Sequence, residues 1–93
     1  MEINHQDLGS KGRFYIGEKT NKKGEMTYSK AGEELLIIDH TEVSDELRGT
    51  GAGKKMVLAA VDMAREKNMK ILPLCPFAKS VFDRNPDLAD VLN

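Results

Sequence analysis

The apolar residues of this chain change period halfway along, and the change falls across a run of glycines. Upstream, RFYIGEK (13–19) places Phe14 and Ile16 on alternate positions, and EMTYSK (25–30) does the same with Met26 and Tyr28. Alternation of this kind marks a half-buried strand. Leu35-Leu36-Ile37-Ile38 is apolar at every position, as in a strand covered on both faces, and continues into Asp39-His40-Thr41-Glu42-Val43. TNKKG (20–24) and Ala31-Gly32 supply the turns between these strands. Downstream, Met56, Val57, Ala60, Val61 and Ala64 form one stripe of a helix expected over 50–67. Lys70 to Cys75 is another short apolar strand. A strand, a helix and a strand of these lengths form a right-handed crossover between parallel strands. Ala78, Val81 and Phe82 then mark a C-terminal helix, stopped at Asn85-Pro86 and followed by a short helical turn over 86–92. The expected fold is α+β, with an antiparallel meander followed by a βαβ crossover and a C-terminal helix.

The join between the two periods is LRGTGAGKKMVLAAV (47–61), with glycines at 49, 51 and 53. Glycine weakens the start of a helix, so the backbone itself must be needed there. A Walker A loop requires a glycine where Arg48 stands and Ser or Thr where Lys55 stands. A dinucleotide fingerprint starting at Gly49 requires glycine at position 54, which is Lys54. Both are excluded. What remains is a helix N-terminus, whose free N–H groups and partial positive charge attract anions. Bare backbone at 49, 51 and 53 lets a diphosphate approach, and Arg48, Lys54 and Lys55 add charge. A glycine-rich turn combined with close helix packing explains the same residues.

Composition narrows the partners. With 93 residues the chain makes one domain, 1–93, and a net charge of −1 gives no general footprint for nucleic acid. No apolar run approaches the ~20 residues that span a bilayer, and MEINHQDLGS lacks the regions of a signal peptide. A single cysteine fits a reducing compartment, so a cytoplasmic location is expected. One cysteine and two distant histidines offer no metal-ligand spacing. His5 lies in a polar segment and reads as exposed; Tyr15 and Tyr28 read as packing residues of the meander.

Arg48-Gly49-Thr50-Gly51-Ala52-Gly53 resembles the Arg/Gln-x-x-Gly-x-Gly/Ala signature of the GNAT acyl-CoA-dependent N-acetyltransferases. It follows an apolar strand ending at Val43 and opens a helix, as in that family. The similarity runs over about residues 13–92 and includes His40-Thr41-Glu42-Val43 and Leu74-Cys75-Pro76-Phe77. It matches the minimal, single-domain members of the family. The resemblance implies acetyl-CoA as co-substrate, with its pyrophosphate on the backbone amides of the glycine loop. It implies Val43, Arg48, Gly49, Thr50, Gly51, Ala52, Gly53, Lys54, Pro76 and Phe82 as the residues that bind it. It also implies that the two parallel strands splay to admit the pantetheine arm. Pro73 fits beside such a gap, and equally fits an edge strand.

Acetyl transfer from a thioester to an amine needs a base for the amine, a stabilised oxyanion and an acid for the thiolate. Many GNAT enzymes take that acid from a tyrosine in the last helix, at the position that is Phe82 here. Phe82 has no hydroxyl. Cys75 is the replacement candidate, because Pro76 suits the first position of a helix and places Cys75 at its N-cap. As thiolate it is a nucleophile, and as thiol it is an acid for departing CoA; a buried packing cysteine is the alternative. His40 and Glu42 alternate onto one face of the strand expected beside Cys75, as candidate bases or as hydrogen-bonded rim residues.

Larger GNAT enzymes insert helices between their first strands, and short turns here leave no room for them. The amine acceptor then meets an open site, a site completed by a second subunit in a homodimer, or a site shaped for a protein lysine or N-terminus. The competing reading is a non-catalytic acyl-CoA-binding module. A redox-sensing thiol protein ranks third, because it leaves the glycine loop without a purpose.

Overall fold

A computed structural model covers all 93 residues. Five strands form one sheet: β1 (Asn4–Asp7), β2 (Lys11–Glu18), β3 (Asn21–Ala31), β4 (Leu35–Val43) and β5 (Lys70–Pro73), in that spatial order. The first four pair antiparallel and β4 pairs parallel with β5. The crossover between them is α1 (Ala52–Lys67), and α2 (Pro76–Arg84) follows β5. A single 3-10 turn at Asp45–Leu47 precedes the glycines, and another over Pro86–Val91 closes the chain.

One core holds these elements together. Met56, Val57, Ala60, Val61 and Ala64 of α1 are all buried, so the helical stripe faces the sheet as its spacing predicts. Against them lie Phe14, Ile16, Met26, Tyr28, Leu36 and Ile38 from the sheet, with Ala78, Val81 and Phe82 from α2. The tail folds back through Leu88 and Val91, and Leu92 forms a lone bridge to Ile71.

Two irregularities change what the strand pattern alone implies. The first lies at Gly17, whose positive φ of 93° accompanies a register shift between Ile16 and Gly17. It allows a tight reversal at Lys19-Thr20, so Lys22, Lys23 and Gly24 belong to β3 and not to the turn expected over 20–24. The second lies in β4. Tyr28 pairs with Ile38 but Thr27 pairs with His40, which leaves Asp39 as an extra residue. Side chains alternate across a strand, so one extra residue inverts the faces beyond it. Thr41 and Val43 therefore continue the core face begun by Leu36 and Ile38, opposite Met26 and Gly24, while His40 and Glu42 are exposed on the other face.

The N-terminal segment is a strand, which its polar sequence did not signal. Its His5 is largely exposed, yet its ring stacks on Phe14 with centroids 4.4 Å apart and its Nε2 lies 2.5 Å from the Tyr28 hydroxyl. Gly12 makes room for that hydroxyl, since a Cβ there would lie 2.3 Å from it. Pro73 also resolves. β5 is the edge strand of the sheet, and Pro73 is its last paired residue, opposite Ile38. Both Leu74 N–H and Cys75 N–H donate to the Ile38 carbonyl at 3.1 Å, and from there β4 runs on to Val43 without β5 beside it.

Candidate functional site

The glycine loop opens onto a cavity of about 550 Å³. Gly49 and Gly51 take φ of 79° and 80°, the left-handed region that glycine enters without strain. A Cβ at either would meet nothing within 4 Å, so conformation and not crowding demands glycine there. Gly53 differs. A Cβ there would lie 2.5 Å from the Phe77 ring, so Gly53 lets α1 and α2 approach each other. The glycines thus serve two purposes, loop geometry at 49 and 51 and helix packing at 53.

This geometry leaves polar groups unspent. Gly51 is the N-cap of α1 and offers no side-chain cap; the first turn carries no acidic residue. Lys55 N–H reaches the Gly51 carbonyl, but the amides of Gly49, Gly51, Ala52, Gly53 and Lys54 have no protein acceptor. Lys54 and Lys55 sit in the first turn, where positive charge opposes the helix dipole. Arg48 reaches the exposed Asp45 at 3.1 Å, with Thr50 turned back to bond the Leu47 carbonyl. The opposite wall comes from α2, through Phe77, Ser80, Val81, Arg84 and Asn85. Lys54 and Arg84 make no salt bridge, and no acidic residue lines the cavity. Free amides, uncompensated cations and an apolar middle suit a ligand with a diphosphate and an apolar portion.

Of the residues read from the sequence as cofactor-binding, Val43, Arg48, Gly49, Gly51, Ala52, Gly53 and Lys54 line this cavity. Thr50 shapes the loop without lining it. Phe82 is buried in the core, and Pro76 opens α2, both away from the cavity wall. Phe77, Ser80, Arg84 and Asn85 were missed. Their spacing on α2 was readable, but nothing in it indicated that this face turns toward the glycine loop.

Cys75 is the N-cap of α2, with Pro76 at the first helical position. The thiol is buried, and its Sγ lies 3.4 Å from the Thr41 hydroxyl. Burial pushes the thiol pKa up. The Thr41 hydroxyl and the backbone at Ala78, Phe77 and Thr41 outweigh it together, so the net shift is downward. No hydrogen bond links Cys75 to His40 or Glu42; these two pair with each other at 3.1 Å and are exposed. The bulge at Asp39 accounts for this, by bringing Thr41 to the core face in place of His40. A second, polar cavity of about 660 Å³ is lined by both Thr41 and Glu42 and shares Val43 and Arg48 with the first. The two cavities therefore meet at the end of β4.

Comparison with known proteins places this fold in a class. The family model for the GCN5-related N-acetyl-transferase matches residues 13–91, and the chain belongs to that family. Its sequence is 31% identical to Protein NATD1 of Mus musculus and Gallus gallus over 61 residues, 66% of this chain. The chain spans little more than half the length of these relatives, 56%. Among solved structures, a GCN5-like protein of Staphylococcus aureus superposes with a TM-score of 0.77 at 41% identity, over 97% of this chain and 87% of that one. A ribosomal-protein-alanine N-acetyltransferase from Brucella melitensis gives a TM-score of 0.67 at 18% identity, over 81% of this chain and 60% of that one, a likeness of fold alone.

Proposed function

We propose that the chain is an acetyl-CoA-dependent N-acetyltransferase acting on an amine acceptor. The observation that carries this reading is the first cavity, where five unpartnered amides and two unpaired cations face an apolar floor. The amides and Lys54 hold the pyrophosphate, with Arg48 beside them. Val43 ends the stretch of β4 that has lost its partner strand, and the pantetheine arm runs along this free edge toward Cys75.

When bound, acetyl-CoA supplies an activated acyl group. Cys75 acts on it in one of two ways. As thiolate, Sγ forms a bond to the acetyl carbonyl carbon while the carbon–sulfur bond to CoA breaks, and the amine then displaces Sγ. As thiol, Cys75 gives its proton to the departing CoA sulfur while the amine attacks directly. In both, Glu42, which lines the second cavity, takes the proton from the amine, and His40, outside that cavity, pairs with Glu42 and can accept the proton in turn. An acceptor in the second cavity has both Glu42 and Thr41 in its lining, and the Thr41 hydroxyl lies beside the thiol.

The test is release of CoA thiol from acetyl-CoA in the presence of amines, ranging from small polyamines to peptides with a free lysine or N-terminus. Wild-type protein releases CoA with at least one of them and the Cys75→Ala variant does not. Intact mass after acetyl-CoA alone separates the two routes, because only the nucleophile gains an acetyl group. The competing reading, a non-catalytic acyl-CoA-binding module, is favoured by Phe82, which is buried and offers no hydroxyl at the acid position. Binding of acetyl-CoA without release by any acceptor would establish it.

A further inference from the structure

We infer that Arg84 forms a separate subsite for a terminal phosphomonoester, so that the protein discriminates CoA from the same molecule lacking its 3′-phosphate. The inference rests on the acetyl-CoA reading above and adds to it a determinant of which nucleotide is accepted. Arg84 is the last residue of α2 and lines the first cavity from the wall opposite the glycine loop. Phe77, Ser80 or Val81, and Arg84 recur at three- and four-residue spacing, so one face of α2 presents an apolar stretch that ends in a guanidinium. The neighbouring side chains leave that guanidinium free. Arg84 has no salt bridge and no hydrogen bond to a side chain, whereas Asn85 is committed through its amide to the Val81 carbonyl at 2.7 Å.

The loop and Arg84 cannot serve the same anion equally. The unpartnered amides cluster at the N-terminus of α1, where Gly53 abuts the Phe77 ring, and Arg84 lies seven residues beyond Phe77, about 10 Å further along α2. A ligand that satisfies both ends carries two separated anionic groups joined by a flat or apolar body. A nucleotide with a 5′-diphosphate and a 3′-phosphate has that form. Arginine suits a phosphomonoester because its planar fork donates two parallel hydrogen bonds to it. The bland role for Arg84 is to complement the negative end of the α2 dipole, which stabilises the helix whatever the ligand.

Titrations of wild-type, Arg84→Gln and Arg84→Lys protein with CoA and with dephospho-CoA distinguish these roles. The wild type binds CoA about tenfold more tightly than dephospho-CoA, the scale of one charge-assisted pair. In Arg84→Gln that ratio falls to about one, because CoA affinity falls by more than dephospho-CoA affinity, and Arg84→Lys keeps part of the ratio. Melting of the unliganded variants confirms that each is folded. Equal wild-type affinity for the two ligands, or a ratio that survives Arg84→Gln, would overturn the subsite and leave the acetyl-CoA reading standing. Failure of folded wild-type protein to bind either ligand would overturn both.

Discussion

Cys75 owes its downward pKa shift to its neighbours, since burial by itself works the other way. Thr41 is the one side chain among those neighbours, so Thr41→Val should raise the thiol pKa and leave the fold intact. The rate of alkylation against pH reads this directly: the variant's profile moves to higher pH, and an unmoved profile would remove Thr41 from the account. His5 gives a second residue-scale expectation. Partial burial of its ring against Phe14 and Tyr28, with Lys67 and Lys30 adding to it against Asp7, holds its pKa below the ordinary 6.5. The unfolded chain therefore takes up a proton that the folded chain refuses. The contribution of His5 is complete above pH 6.5 and is lost as pH falls from there through the folded-state value. Urea midpoints between about pH 7 and 5 should fall in the wild type, and the slope should flatten in His5→Gln. Cys75 was legible in the sequence because Cys-Pro before a helical pattern announces an N-cap. Thr41 was not, because the extra residue at Asp39 leaves no trace in a run of alternating polar side chains.

At the scale of elements, the glycine loop separates two demands that look identical in the sequence. Gly51→Ala places a Cβ in open space at φ of 80°, so only backbone strain opposes it, about 1 kcal/mol. Gly53→Ala meets the tip of the exposed Phe77 ring, which must turn aside, and alanine's better helix propensity offsets part of that, so the net cost should be about 1 kcal/mol. Chemical denaturation distinguishes them: Phe77→Leu should restore part of the loss in Gly53→Ala and none in Gly51→Ala. Equal rescue of both would show that Gly53 is not a packing glycine. The glycine spacing carried the location of the loop, since three glycines before an apolar stripe mark a strained entry to a helix. It carried no information on which helix would press against the third. The α1 stripe was fully readable because its five buried positions share one period. β1 was not readable, because Asn4 to Asp7 is polar and its strand form depends on pairing with β2.

Over the whole molecule, a nearly neutral chain still sets two unpaired cations, Lys54 and Arg84, in one hollow that no acidic residue lines. Salt bridges pair seven of the fourteen lysines and arginines, and of the other seven only Lys54 and Arg84 line this cavity. Net charge, an average over the surface, could not have revealed this. The parallel pairing of β4 with β5 followed from the switch of period, because a crossover admits few alternatives, whereas the departure of β4 from β5 was implied by the family resemblance and Pro73 alone fitted an edge strand as well. The polar cavity proposed for the acceptor is less determined by sequence, since it is built from residues far apart in the chain. The measurement that bears most directly on the central claim is a thermal-shift titration with acetyl-CoA, with ATP and NAD in parallel. A ligand that binds only the folded state adds about 2.7 kcal/mol at a hundred times its dissociation constant, a rise of about 10 °C or more in a domain of this size. A rise with acetyl-CoA well beyond that with ATP or NAD is the expected result. No rise at millimolar acetyl-CoA would contradict the assignment of the glycine-loop cavity to the acyl donor.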